Sequence, residues 1–237
     1  MTYNFFQPQK LIINELEVQN GERNLTEVSL TIGEKKIDPP YSFTIFKPHI
    51  SEEDYFNLAS EDIACELLDG NLIIHSPALL EHEELFRFLF TLLDLFALRT
   101  HQGRILGSRF VMQLEPNFIT EPDLIFIDKE TSNRLKETYL EGSAPFVIEI
   151  LSPSTRETDL SKKLPRYLSK GVHEVWIVDP ENRSITVHCP NMEPTHFQGT
   201  DKLECKTLKR LWILPEWLWT RRADYPEDII DEICIQT

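Results

Sequence analysis

The sequence predicts an α/β fold in which helices flank a mixed central sheet. Largely apolar segments at 124–127, 146–151 and 174–178 have the length of strands, whereas apolar residues recur at helical spacing after Pro77 as far as Arg99. Strands and helices combined in this way are typical of the α/β class. A chain of 237 residues that is 41% hydrophobic can bury one sizeable core, and no internal repeat indicates another plan.

The first 40 residues are predicted to form a β-hairpin or arm ahead of the main fold. Apolar residues at 11–13 and 28–32 have the pattern of two strands, and Asn20-Gly21 is a typical turn sequence between them. The Pro39-Pro40 pair then breaks the chain. This hairpin or arm is therefore an addition at the edge of the protein.

Two helices and five strands are predicted after this arm. Ser51 is the N-cap of a short helix that reaches about Leu58, and a longer helix runs from about Glu81 to Arg99. The strands lie at about 109–114, 123–127, 146–151, 174–178 and 185–188.

The longer helix is apolar on two faces. One face carries Leu85, Phe88, Leu89, Leu92 and Phe96, and another carries Phe86, Phe90 and Leu93. A helix that is apolar on most sides must be buried on most sides. The second face is covered by the N-terminal arm, by the region around Trp212, Trp217 and Trp219, or by a second subunit. The last alternative predicts a homodimer.

Glu149 is a lone carboxylate inside the apolar run 146–151. An ionised group in a buried strand is unfavourable unless a cation, a metal or several hydrogen bonds compensate it. One structural Arg or Lys would be sufficient. Asp123, however, stands at the start of another apolar strand, and two carboxylates converging from adjacent strands form a site for a hard divalent ion. Such a site can support hydrolysis.

A helix is predicted from Arg156 to Gly171. At about 100° per residue, its sheet-facing side carries Leu160, Leu164, Tyr167 and Leu168. Lys163 lies at the border of this face and can reach Glu149, whether as a catalytic group or as a structural ion pair, whereas Lys162 and Arg166 face water.

Two residues affect how this predicted helix begins and how regular it is. Asp159 is placed to cap its first turn, because an Asp there satisfies free backbone donors. Pro165 cannot occupy a regular helix interior, so the helix either starts late or bends.

These residues belong to a longer pattern that resembles the Uma-type family of restriction-endonuclease-like bacterial proteins, within the PD-(D/E)xK nuclease superfamily. The pattern comprises Cys65-Glu66-Leu67-Leu68-Asp69-Gly70, Ser76-Pro77 followed by His82, Pro122-Asp123, the run Ile148-Glu149-Ile150-Leu151-Ser152-Pro153-Ser154-Thr155-Arg156, then Asp159, Lys163, Tyr167, Gly171-Val172 and the run Glu174-Val175-Trp176-Ile177-Val178-Asp179-Pro180. The resemblance implies a nuclease domain at 41–190, preceded by an N-terminal extension at 1–40. A C-terminal extension at 191–237 is expected to pack on the core or on a partner subunit.

The resemblance implies that Asp123 and Glu149 bind Mg²⁺ or Mn²⁺, with the main-chain carbonyl of Ile150 as a further oxygen ligand. The superfamily usually has its lysine two residues after the second acid, where this chain has Leu151. A migrated lysine on the following helix, Lys163, is the family's replacement.

The implied activity is a metal-dependent DNA endonuclease that hydrolyses phosphodiester bonds. Glu66 is a candidate third acid, and His82 either contacts phosphate or caps its helix. The alternative is a catalytically inactive nuclease fold that serves as a binding or regulatory module, with Glu149 and Lys163 as a structural pair.

The charge of the chain limits its expected affinity for DNA. There are 24 Lys and Arg residues against 39 Asp and Glu residues, which gives a net charge of −15, whereas nucleic-acid surfaces need cations. The helix beside the site is locally basic, and its cations are candidates for nucleic-acid contact together with His82: Arg156, Lys162, Arg166 and Lys170.

The remaining patterns argue against zinc-binding and dinucleotide-binding sites. The four cysteines and seven histidines have no zinc-binding spacing, and no glycine-rich phosphate loop indicates a dinucleotide cofactor. The sequence shows no leader-like start and no run of membrane-spanning length, so we expect a cytoplasmic protein with reduced thiols.

Overall fold

A computed structural model describes residues 9–12, 30–32, 35–37, 43–59, 64–220 and 226–235. Two large mixed β-sheets, one long helix and several short helices make up these residues. The predicted α/β class is confirmed, although the strands divide between two sheets instead of forming a single central one.

The first sheet contains seven strands, counted over the described ranges. In spatial order, with strands numbered along the chain, they are β1 (Gln9–Ile12), β4 (Phe43–Pro48), β6 (Asn71–His75), β5 (Cys65–Leu68), β9 (Phe118–Thr120), β8 (Val111–Glu115) and β11 (Tyr139–Glu141). The pairs β1–β4 and β8–β11 are parallel, and the other pairs are antiparallel.

The second sheet contains six strands in the part of the chain that is described. Their spatial order is β15 (Thr195–Gln198), β14 (Ser184–His188), β13 (Glu174–Asp179), β12 (Phe146–Ile150), β10 (Leu124–Ile127) and β7 (Arg104–Gly107). The central pair β12–β13 is parallel, with Glu149 opposite Ile177, and β10 runs antiparallel to β12. Both central strands are fully buried, which explains their continuous apolar runs.

Two small antiparallel pairs complete the strands: β2 (Leu30–Ile32) with β3 (Lys35–Ile37), and β16 (Leu203–Glu204) with β17 (Trp212–Ile213). The predicted pairing of the first two apolar segments with each other is therefore wrong, because β1 pairs with β4 and β2 with β3. Alternating apolar residues locate a strand, but its partner depends on long-range packing. The predicted turn at Asn20-Gly21 lies outside the described residues.

The first two helices confirm the predictions from local sequence signals. Helix α1 (Glu52–Leu58) begins after Ser51, and Ser51 and Asp54 form a reciprocal capping box. Helix α2 spans Leu80–Arg99. One core cluster joins this helix to Trp212, Trp217 and buried residues of α5 (Pro226–Ile235), and Phe86 and Phe90 of the second face pack partly buried against that cluster. The homodimer stays a prediction, which sedimentation at micromolar concentration tests.

The predicted helix after β12 is continuous but irregular. It consists of α3 (Arg156–Thr158), a π-helical turn (Asp159–Lys163) and α4 (Leu164–Ser169), and Gly171 with φ +97° follows its end. Pro165 is the second residue of α4, one residue after the π turn, so the regular helical hydrogen-bond pattern is already interrupted close to the position where the proline N–H is missing.

The wide turn changes which residues face the sheet. Leu160, predicted to be buried, is 37% exposed, whereas Asp159 is buried inside the helix and does not cap its N-terminus. Leu164 and Tyr167 are buried as predicted, and Lys163 is buried with them. A π turn contains one residue more than an α-helical turn, so the regular 100° periodicity fails across it.

No helix in the described segments is both long enough and apolar enough to cross a membrane.

Candidate active site

A cleft of about 680 Å³ is lined by residues of both large sheets, of the N-terminal part of α2 and of the π turn. Asp123, Glu149, Lys163, Glu66 and His82 all line it. The cleft therefore collects residues that are far apart in the sequence.

Glu149 lies near the end of β12 with its carboxylate buried. The Tyr167 hydroxyl donates a hydrogen bond of 2.7 Å to its Oε1, and the Lys163 ammonium lies 3.4 Å from the same oxygen. The main-chain N–H of Asp123 approaches Oε2 at 3.5 Å. One carboxylate oxygen is thus held by the helix, and the other faces the Asp123 strand.

Asp123 immediately precedes β10, and the antiparallel register of β10 and β12 places it beside the end of β12. Its Oδ2 accepts a hydrogen bond of 2.6 Å from the N–H of Ile150, and its Oδ1 lies 3.1 Å from Nε2 of His82. Burial opposes protonation of His82, but the hydrogen bond and charge of Asp123 raise the pKa of the imidazole.

Lys163 lies at the centre of a buried carboxylate cluster. Its Nζ is 2.8 Å from Glu66, 2.9 Å from Asp159 and 3.4 Å from Glu149. The π turn directs both Asp159 and Lys163 inward, since both lie within it and both are buried. Burial alone would lower the pKa of Lys163, but these three carboxylates raise it well above its usual value, so the group is a fixed cation.

Glu66 connects the first sheet to this cluster. Besides contacting Lys163, its carboxylate lies 2.9 Å from Nε2 of His75 and accepts a 2.9 Å hydrogen bond from the N–H of Glu121. Burial would raise the pKa of Glu66, but Lys163 and His75 lower it to about 2. This third acid is therefore ionised near neutral pH.

Carboxylate groups outnumber lysine side chains in the cluster. Lys163 is shared by Glu66, Asp159 and Glu149, and Asp123 adds a fourth carboxylate at its edge. Burial raises the pKa of Glu149 well above its usual value, with the charges of Asp159 and Asp123 adding to the effect. Burial likewise raises the pKa of Asp159, with the charge of Glu66 adding to it. An added cation would relieve this excess.

The donor set fits a magnesium-type ion better than a zinc-type ion. The described part of the chain contains no group of three or more His, Cys, Asp or Glu side chains arranged to hold a metal. Mg²⁺, however, is usually bound through one or two carboxylates and keeps several waters. Asp123 and Glu149 supply two carboxylates beside the open cleft, and Ile150 lines the cleft next to them.

Sequence reasoning missed four residues of this cleft: Asp159 as a cluster member, His75, Glu121 and Arg109. Glu121 had a signal, because it lies two residues before Asp123 in the same strand entry. Burial, with the charge of Glu66, raises the pKa of Glu121 to about 7. No local pattern marked Arg109 or His75, since their roles depend on contacts between strands.

Most of the predicted nucleic-acid contacts are paired elsewhere. Arg156 forms an ion pair of 2.7 Å with Asp179, and Arg166 and Lys170 both pair with Glu115. Lys162 lies 5.7 Å above the ring of Phe46. These four cations are absent from the described lining of the cleft, whereas His82 forms part of it.

Comparisons with known proteins agree with this architecture. The model of the Uma2 family, described as "Putative restriction endonuclease", matches residues 52–216. No curated protein matches the chain. Among solved structures, the chain is similar to a "putative nuclease belonging to DUF820" from Anabaena variabilis ATCC 29413. The identity is 19%, the match covers 72% of this chain and 97% of the other, and the TM-score is 0.63.

At this identity the structural likeness concerns the fold alone, and it agrees with the restriction-endonuclease-like core predicted from the sequence. The family match extends over well more than half of the chain and includes Glu66, Asp123, Glu149 and Lys163. The chain therefore belongs to the Uma2 family, as the resemblance of its motifs predicted.

Proposed function

We propose that the protein is a metal-dependent endonuclease that hydrolyses phosphodiester bonds in DNA. The observation that carries this proposal is the convergence of Asp123, Glu149 and Lys163 in one cleft, with more carboxylates there than cations. A nuclease site needs this combination, since it must attract a divalent ion and then accept a polyanionic substrate.

The metal-binding residues in this proposal are Asp123 and Glu149, with the main-chain carbonyl of Ile150 as a further oxygen ligand. A bound Mg²⁺ or Mn²⁺ supplies positive charge that polarises the phosphodiester and favours deprotonation of the attacking water. The chain's own contribution is to hold two carboxylates on adjacent strands: the N–H of Ile150 orients Asp123, and the Tyr167 hydroxyl orients Glu149.

Lys163 acts in this proposal as an electrostatic group and not as a base. Its raised pKa keeps the ammonium protonated, so it donates hydrogen bonds and offsets charge that develops on the phosphate. Glu66 and Asp159 fix its position from two sides. Loss of Glu66 or Asp159 should therefore impair the reaction, because the Lys163 ammonium would no longer be held in position.

The second candidate function is an inactive nuclease fold that acts as a binding or regulatory module. The observation that favours it is the complete pairing of Lys163 with three buried carboxylates, which also describes a structural ion cluster. Under this alternative, Glu149 and Lys163 stabilise the fold and bind no metal.

Calorimetry separates the two functions. Mg²⁺ or Mn²⁺ should bind the wild type with measurable heat, and Asp123→Ala should lose that heat while remaining folded. The absence of metal heat from both proteins would remove the cofactor from the nuclease proposal.

Plasmid nicking in Mn²⁺ tests the chemistry itself. Lys163→Ala should reduce nicking by about 100-fold or more, whereas Lys162→Ala, which alters the exposed neighbouring lysine, should not. Equal nicking by the wild type and Lys163→Ala would exclude Lys163 from the mechanism.

A further inference from the structure

Arg109 is a cation in the wall of the cleft that the family motif does not include. Among the described residues that line the cleft, two are Lys or Arg: Arg109 and Lys163. The side chain of Lys163 is only 4% exposed, whereas that of Arg109 is 40% exposed. Arg109 is therefore the more accessible cation of this pair.

Arg109 has a backbone conformation that residues other than glycine rarely adopt. Ser108 and Arg109 have φ values of 55° and 71°, so two consecutive non-glycine residues occupy the left-handed region. Such conformations persist where the surrounding structure fixes them, and they concentrate at functional sites.

The turn that carries Arg109 packs directly on the strand entry that carries Asp123. At Gly107, the preceding glycine, an added Cβ would lie 2.6 Å from the main-chain oxygen of Asp123. Only a residue without a side chain permits this approach. Ser108 and Arg109 consequently lie beside the proposed metal ligand, on the same cleft.

Glu121 orients the guanidinium group. Its Oε2 lies 3.4 Å from Nε of Arg109, and its side chain is almost completely buried. A guanidinium group has a planar fork of N–H donors that matches the oxygens of a phosphate.

The rest of this wall is suited to the apolar parts of a nucleotide. Pro77, Ala78, Leu79 and Phe86 line the cleft together with the charged residues. A cation beside apolar surface matches a ligand that combines phosphate with sugar and base.

We propose that Arg109 forms a phosphate-binding subsite at the mouth of the cleft. This subsite holds a phosphate of the nucleic-acid strand while the carboxylate cluster acts on the same strand. The subsite rests on the proposed nuclease function and adds to it the residue that binds the substrate. It would also place one accessible positive charge beside the carboxylates, in a chain whose net charge is −15.

The test compares Arg109→Gly with Arg109→Lys in cleavage of a fluorescent oligonucleotide in Mn²⁺ at several salt concentrations. Glycine suits the φ of 71°, so Arg109→Gly removes the charge without backbone strain, and Arg109→Asn is a second variant that tolerates this conformation. Arg104→Ala, on the exposed start of β7, is the matched control.

Arg109→Gly should raise KM about ten-fold with little change in kcat, because a hydrogen-bonded ion pair to phosphate is lost. The slope of log(1/KM) against log[salt] should become shallower by about 0.7 for a single strand or about 0.9 for a duplex. Arg109→Lys should restore the slope, and Arg104→Ala should match the wild type.

A wild-type KM and salt slope in Arg109→Gly would overturn the subsite and leave the nuclease function intact. If the wild type cleaves no nucleic acid, the nuclease function fails first. Binding of the same oligonucleotide, measured by fluorescence anisotropy, then decides the subsite: equal affinities of wild type and Arg109→Gly reject it, and a weaker Arg109→Gly with a shallower slope supports it.

Discussion

Glu149 and Glu174 are buried carboxylates on the neighbouring parallel strands β12 and β13, and the protein stabilises them in opposite ways. Glu174 accepts hydrogen bonds from the main-chain N–H groups of Lys206 and Thr207, at 3.0 and 2.8 Å, and from Nε1 of Trp176, at 2.8 Å. The Cys205 thiol is a further donor at 3.3 Å. Fixed neutral donors therefore satisfy Glu174 and connect the 205–207 segment to the sheet.

Glu149 has few fixed donors and several negative neighbours. It shares Lys163 with Glu66 and Asp159 and lies beside Asp123. It also faces the other side of the sheet. Glu174 points to the same face as Trp176, which belongs to one core cluster, whereas Glu149 points to the same face as Val147, which belongs to the other. Burial alone therefore does not distinguish the two acids, whereas the degree to which other groups compensate their charge does.

The largest expected effect contrasts the activities of variants at these two positions. Glu149→Ala should reduce the rate of plasmid cleavage in Mn²⁺ by about 1000-fold, because the proposed metal ligand is lost. Glu174→Gln, assayed per folded molecule, should retain the wild-type rate. Comparable losses in both variants would mean that the two acids do not differ in function.

For stability, in contrast to the cleavage rate, the larger loss is expected at Glu174. Glu174→Ala leaves two main-chain N–H groups and the Trp176 indole without their acceptor, which should lower the free energy of unfolding by about 3 kcal/mol. Urea denaturation measures the loss, and Glu204→Ala, at an exposed acid on β16, should change it by less than about 0.5 kcal/mol. A loss below about 1 kcal/mol for Glu174→Ala would contradict the structural role of this acid.

The dependence of stability on pH and metal sharpens the contrast further. The folded state raises the pKa of Glu149, so it binds that proton more tightly than the unfolded state does, and stability should fall as the pH rises above the usual pKa of a glutamate. At pH 8 without metal, Glu149→Gln should therefore raise Tm by about 3 °C, equivalent to about 1 kcal/mol.

Mg²⁺ should raise the Tm of the wild type at pH 8 more than at pH 5, and should not raise that of Glu149→Gln. Calorimetric melting curves with and without Mg²⁺ provide the comparison. A Tm of Glu149→Gln well below that of the wild type at pH 8 would show that Glu149 is a structural acid, like Glu174.

The smallest effect is expected at the cations in and directly after α4. Lys170 is paired with Glu115, and removing an exposed ion pair of this kind changes stability little. Lys170→Ala should change the affinity for a labelled oligonucleotide by less than about two-fold and leave the salt slope unaltered. A slope shallower by about 0.9 would show that Lys170 contacts phosphate on duplex DNA.

Local signals in the sequence predicted the elements that local interactions determine. Ser51 caps α1 because its partner Asp54 is three residues away, and α2 shows its helical repeat within a single segment. Glu149 and Asp123 were identifiable because a charged residue at the start or inside of an apolar run is visible in the sequence itself.

The remaining features depend on contacts that the linear pattern does not contain. The pairing of β1 with β4 joins distant segments, and the π turn exchanges the positions expected for Asp159 and Leu160. The contrast between Glu149 and Glu174 is likewise hidden in the sequence, since the main-chain donors to Glu174 come from residues more than thirty positions away along the chain.

The wide turn at Asp159–Lys163 makes the orientation of the lysine depend on chain length as well as on residue identity. Deleting a single residue from 160–162 would allow an ordinary α-helix, and the residues on one side of the deletion would rotate by about 100° relative to those on the other. The position of Lys163 against Glu66 and Glu149 thus depends on the number of residues in this turn.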